Sequence, residues 1–252
     1  MITVHREVVY ARVPGYRPLA LDLYVPEKPA ALCLYLHGGG WRVGSRTVGP
    51  GSFPSFFEHV AESGLAVASI DYRLSGEARF PAQLDDVRAA AGFLAGRHAD
   101  FGVTTEHTVA WGVSAGGHLA ALAGLGGGFE AVVCWYAPTD LGALAADGVS
   151  DLSRETALVG GDSLERLTAA SPVHHVHAGA PPFLLVHGDA DTAVPFRQST
   201  RLAGALHDHG VPAIVEPVPG GTHMLPELDT AGTAILIKQS VDFLLDAARP
   251  TA

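Results

Sequence analysis

Cysteine is scarce in this 252-residue chain: Cys33 and Cys134 are the two present, each inside an apolar run (ALCLYL and AVVCWY). That count excludes a disulfide framework, and both thiols read as small buried hydrophobes. Basic residues are also few. Sixteen Lys and Arg stand against 26 Asp and Glu, a formal net charge of −10. With no Lys/Arg cluster to make a local exception, a nucleic-acid partner is not expected. No uncharged apolar stretch reaches the ~18–20 residues of a membrane span. The opening residues, MITVHREVVYARVPGYRP, contain no apolar signal-peptide core. A cytoplasmic protein with no membrane partner is the expectation. Neither G-x-G-x-x-G nor G-x-x-x-x-G-K-[ST] occurs, which argues against a phosphate-binding loop.

What is plentiful is glycine, 30 residues, in a chain that is 48% hydrophobic. Short apolar runs at 19–25, 30–37, 65–72, 107–113, 131–137, 182–188 and 213–218 read as strands. Helix-like stretches at 52–63, 82–98, 115–126, 195–209 and 227–248 lie between them; in 82–98, Leu84, Val87, Ala91 and Leu94 share a face. Strands apolar on both faces and separated by helices predict an α/β fold, with a mostly parallel central sheet covered on both sides. Nothing divides the chain, so 1–252 reads as one domain. Residues 139–180 lack the βα rhythm and read as a small lid or a long connection.

In such a sheet, ligands gather beyond the carboxyl ends of the strands, so the loops there carry the chemistry. Strand 107–112 runs into GVSAGG (112–117), a G-x-S-x-G match that places Ser114 at a sharp strand-to-helix turn. A helix-capping serine is the bland alternative. Strand 30–37 ends in HGGGW (37–41), whose glycines leave backbone N–H groups open to a developing oxyanion. Strand 182–187 ends in HGDADTAVP (187–195), which offers Asp191 or its neighbour Asp189 to orient a histidine; spacing does not separate them, and either would serve as a turn residue. His223 lies in PGGTH (219–223), past the last strand. The order Ser, Asp, His is that of an α/β-hydrolase triad.

Together with YR (72–73) and FPAQLDDVRAA (80–90), these segments make the chain resemble an α/β-hydrolase of the hormone-sensitive-lipase-like and bacterial esterase group. The resemblance implies Ser114 as nucleophile and His223 as general base. It implies Asp191, four residues after the His-Gly start, as the acid in preference to Asp189. It also implies an oxyanion hole from the N–H groups of Gly39, Gly40 and Ala115. Val113 stands where those enzymes usually carry an acidic residue, and no cap precedes HGGGW. Both features shift the likeness toward small cap-less esterases and arylformamidases, which share an HGG-x-W loop.

The implied function is a serine carboxylesterase acting on a small-molecule ester through an acyl-enzyme. Arylformamide cleavage, or acyl transfer or cyclisation by the same serine, are the alternatives, with a non-catalytic binding protein behind them. Trp41 and Phe196, each beside one of these loops, are candidates for lining a substrate pocket. No cofactor or metal is expected: His174, His175 and His177 cluster, but no Asp or Glu stands at a metalloprotease-like spacing. Asp85 and Asp86 read as a solvated helix face beside Arg88. A homodimer is left open.

Overall fold

The computed structural model describes residues 1–51 and 53–249. Residue 52, where the helix-like stretch 52–63 begins, and residues 250–252, the end of the expected domain, lie outside the described residues. The strands are β1 (Ile2–Ala11), β2 (Leu19–Pro26), β3 (Ala31–Leu36), β4 (Leu65–Ile70), β5 (Thr108–Val113), β6 (Val132–Trp135), β7 (Phe183–Gly188) and β8 (Ala213–Val218). The main helices are α1 (Phe56–Glu62), α2 (Ala82–Phe101), α3 (Ala115–Leu125), α6 (Arg197–Asp208) and α7 (Thr230–Ala247). Two shorter ones, α4 (Ser153–Val159) and α5 (Leu164–Ala169), lie between β6 and β7.

Among the described residues the eight strands form one sheet in the order β1-β2-β4-β3-β5-β6-β7-β8. β2 runs antiparallel to β1 and β4, and from β4 onward every pairing is parallel. Side chains alternate between the two faces. Leu32, Leu34 and Leu36 of β3 join a core with Leu84 and Val87 of α2, Leu119 of α3 and Leu202 of α6. Ala31, Cys33 and Tyr35 join the opposite core with Phe57 of α1 and Ile237 and Val241 of α7. The fold is thus the expected α/β-hydrolase architecture. Both cysteines are buried free thiols, and no described helix is long and apolar enough to cross a membrane.

β1 was not legible in the sequence. Its alternation is broken by His5, Arg6 and Glu7, where a register shift between His5 and Val8 coincides with Glu7 at φ 57°. As an edge strand it buries one face at most, so charge is tolerated on it. Residues 139–180 form a packed connection: Leu141, Leu144, Leu158, Val159 and Leu167 are all buried. On α2, Ala90 is buried and Ala91 only partly so.

The solvated-face reading of Asp85 and Asp86 holds for Asp85, which faces Arg88 at 3.6 Å, and fails for Asp86. Asp86 is 2% exposed and grips Arg73 through Nη2 at 2.7 Å, Nε at 2.9 Å and the backbone N–H at 2.8 Å. The pair ties the loop after β4 to α2. A helical period places Asp86 next to core positions, but only the fold supplies the arginine that makes its burial tolerable. Asp86→Ala leaves that guanidinium unpaired, and we expect a loss on the order of 3 kcal/mol in chemical denaturation. A loss under ~1 kcal/mol would mean that water replaces the carboxylate.

Candidate active site

Three loops at the carboxyl ends of β5, β7 and β8 bring Ser114, Asp191 and His223 together. Ser114 sits between β5 and α3 at φ 51°, ψ −120°, a backbone conformation that few non-glycine residues adopt. The flanking glycines make this turn sterically feasible. A Cβ on Gly112 would fall on the Gly116 carbonyl, and one on Gly116 on the Leu36 carbonyl. Ser114 Oγ lies 3.0 Å from His223 Nε2, and His223 Nδ1 lies 2.7 Å from Asp191 Oδ2. A hydroxyl, an imidazole and a carboxylate in this series can move a proton off the hydroxyl while the carboxylate holds the imidazole tautomer.

Geometry separates the two aspartates that spacing left open. The Asp191 side chain is fully buried, and its second oxygen, Oδ1, accepts from the N–H groups of Ala193 (2.8 Å) and Val194 (2.9 Å). Asp189 is exposed and accepts instead from Gly220 N–H at 2.7 Å, pinning the loop that carries His223. Burial alone would raise the Asp191 pKa. Hydrogen bonds from His187 and His223, the latter's charge and the Val194 N–H outweigh it and hold the carboxyl far below its usual range.

His187, which opens the HGDADTAVP segment, is fully buried. Its Nε2 faces two acceptors, Val194 O at 2.8 Å and Asp191 Oδ2 at 3.3 Å, so that nitrogen carries the proton and Nδ1 accepts from Ser199 Oγ at 2.7 Å.

On the other side of Ser114, Gly39 and Gly40 have positive φ (114° and 59°) and line the cavity in front of the hydroxyl. Among the described residues, the N–H groups of Gly39, Gly40 and Ala115 donate to no acceptor of the chain. Three unengaged donors around one serine are available to a ligand oxygen. The loop is braced from below. His37 stacks on Tyr72 (4.3 Å between centroids) and bonds Gly38 O through Nδ1 at 2.7 Å, while Tyr72 Oη donates to His37 O. Burial lowers the His37 pKa to about 4, so the ring is neutral at pH 7.

The cavity holds about 550 Å³ and is walled chiefly by glycines, Val43, Val48, Val113, Tyr136 and Met224, with Arg154 at its edge. Trp41 and Phe196 are not among its lining residues, which corrects the pocket expectation for both. Trp41 is 1% exposed and turns inward onto His118, 5.0 Å away, and Phe196 packs edge-on against His187 at 5.8 Å. Tyr136, directly after β6, sets its ring 5.1 Å from that of His223; its position at a strand end was the available signal. Arg154 gave none, since its segment had no recognisable rhythm. The histidine cluster is dispersed: His175 bonds Ala169 O, His177 bonds Leu125 O, and His174 lies 3.8 Å from Asp140 Oδ1. Among the described residues, no group of three or more His, Cys, Asp or Glu is arranged to hold a metal.

The chain is similar to esterase LipQ of Mycobacterium tuberculosis (29% identity over 92% of this chain and 60% of LipQ). It is similar also to esterase LipC of the same organism (30% identity; 91% and 62% covered). It spans about three fifths of the length of these curated relatives. Among solved structures it superposes on a truncated carbohydrate esterase from gut microbiota with a TM-score of 0.84, at 28% identity over 98% of this chain and 96% of that one. A thermophilic esterase, Est2 of Thermogutta terrifontis, gives a TM-score of 0.79 at 25% identity, covering 94% and 90% of the two chains. The BD-FAE family model matches residues 21–206, well over half of the sequence. The chain therefore belongs to the BD-FAE family of carboxylesterase-like α/β-hydrolases.

Proposed function

We propose that the protein is a serine carboxylesterase that cleaves small esters through an acyl-enzyme. The observation that carries this reading is the hydrogen-bonded series Ser114 Oγ, His223 and Asp191, at 3.0 and 2.7 Å, opening on a largely apolar cavity. In the first half-reaction Ser114 Oγ attacks the ester carbonyl as His223 Nε2 takes its proton. The N–H groups of Gly39, Gly40 and Ala115 receive the oxyanion. His223 then returns the proton to the leaving alcohol, freeing it and leaving Ser114 acylated. Water, activated by the same histidine, releases the acid. Asp191, ionised throughout, keeps Nδ1 protonated and Nε2 free to accept. The esterase names of the relatives and solved neighbours support ester cleavage as the reaction class.

The cavity limits the acyl group. Each buried methylene contributes about 0.8 kcal/mol only while there is apolar wall to receive it. Here the wall ends at the partly exposed Val43, Val48 and Met224. In a p-nitrophenyl series, kcat/KM is expected to be highest from acetyl to butyryl and low for palmitoyl. A steady rise through palmitoyl would overturn the size argument, and no turnover of any member would overturn the esterase reading.

A further inference from the structure

The Ser114 cavity is lined by one arginine that closes no salt bridge. Arg154 lines it from α4, and no Asp or Glu lines it with Arg154. Among the described residues no carboxylate oxygen lies within 4 Å of the Arg154 guanidinium. Arg46, Arg73 and Arg201 by contrast are each paired at 2.7–2.8 Å. The charge of Arg154 favours the ionised form of the two acidic residues beside it on the chain, Asp151 and Glu155, but neither closes an ion pair with it. Asp151 accepts from Ser153 N–H at 2.9 Å, and Glu155 is buried.

The position of Arg154 is held. Leu158 and Val159 anchor α4 in the core, Leu158 O accepts from Phe80 N–H at 2.8 Å, and the Arg42 guanidinium donates to Ser153 O. The Arg154 stem lies over Gly40, where a Cβ would come 2.7 Å from its Cδ. The Arg154 side chain is therefore stationed beside Gly40, one of the glycines that line the cavity with Ser114, in a chain whose formal net charge is −10.

We infer that Arg154 makes this site selective for esters that carry a carboxylate a few bonds from the scissile carbonyl, as in half-esters of dicarboxylic acids. This rests on the esterase reading and adds a substrate class to it. The guanidinium fork matches a carboxylate with two parallel N–H···O bonds, and apolar walls strengthen such a pair over its value in water.

The test compares p-nitrophenyl hemiglutarate with p-nitrophenyl valerate, which differ in a terminal carboxylate for a methyl. The hemiglutarate:valerate ratio of kcat/KM is expected to fall about 10- to 100-fold in Arg154→Met, which keeps an apolar stem over Gly40. Arg154→Lys should retain part of the preference. In the wild type the ratio should also shrink as ionic strength rises. A ratio unchanged in Arg154→Met would overturn the inference and leave Arg154 a packing residue. Should that variant not fold, a ratio in the wild type that ignores salt overturns it equally. Calorimetric binding of monoethyl glutarate and ethyl valerate to Ser114→Ala separates the two readings. Tighter binding of the anion with no turnover of either ester by the wild type sinks the esterase reading alone, while turnover with equal binding sinks the Arg154 inference alone.

Discussion

Ser114→Ala is expected to lower kcat/KM on p-nitrophenyl butyrate by about 10⁵-fold or more, because the variant lacks the hydroxyl proposed to carry the acyl group. The fold should survive. The turn at φ 51° is enforced by Gly112 and Gly116 and by the Ser114 N–H bond to Trp135 O at 2.8 Å, none of which needs the hydroxyl. What is lost is one 3.0 Å contact with His223, so the melting curve should move little. A fluorophosphonate probe should label the wild type on Ser114 and leave the variant unmarked. Retained labelling or turnover in the folded variant would show that another residue is the nucleophile.

Asp191→Asn should cost about 10⁴-fold in kcat, and the surroundings of this residue say why. Oδ1 already accepts two backbone N–H groups, from Ala193 and Val194. The asparagine must place its carbonyl there and turn its NH2 toward His223 Nδ1. That ring nitrogen then has to accept, which moves the proton to Nε2 and aims a donor at Ser114. The amide also faces the protonated Nε2 of His187, 3.3 Å from the present Oδ2. Asp189→Asn should stay within a few-fold of the wild type, since an amide oxygen still accepts from Gly220 N–H. Kinetics on both purified variants, with melting curves as a check on folding, decide the matter. The reverse ranking would reassign the acid.

Much of this architecture was visible in the residues themselves. The seven strands from β2 to β8 and helices α1, α2, α3, α6 and α7 follow from apolar runs and helical periods, which are properties of a few consecutive residues. The G-x-S-x-G turn was legible for a related reason: its glycines answer to steric limits set within five residues. The three glycines after His37 likewise announce a loop open to close approach.

Other features were decided only when distant segments met. Asp189 and Asp191 are two residues apart in one loop and alike in chemistry. Which of them faces His223 depends on how the loops after β7 and β8 pack. Trp41 follows three exposed-looking glycines yet turns inward, because the space beside His118 on α3 is there to receive it. Asp86 is buried because Arg73 arrives from the loop after β4. Arg154 reaches Gly40 across more than a hundred residues. Backbone sterics and hydrophobic period are local, so the alternation of strands and helices and the residue types at the strand ends are legible in consecutive residues. Which of those side chains touch is not local, because contact between remote segments depends on the packing of the whole sheet.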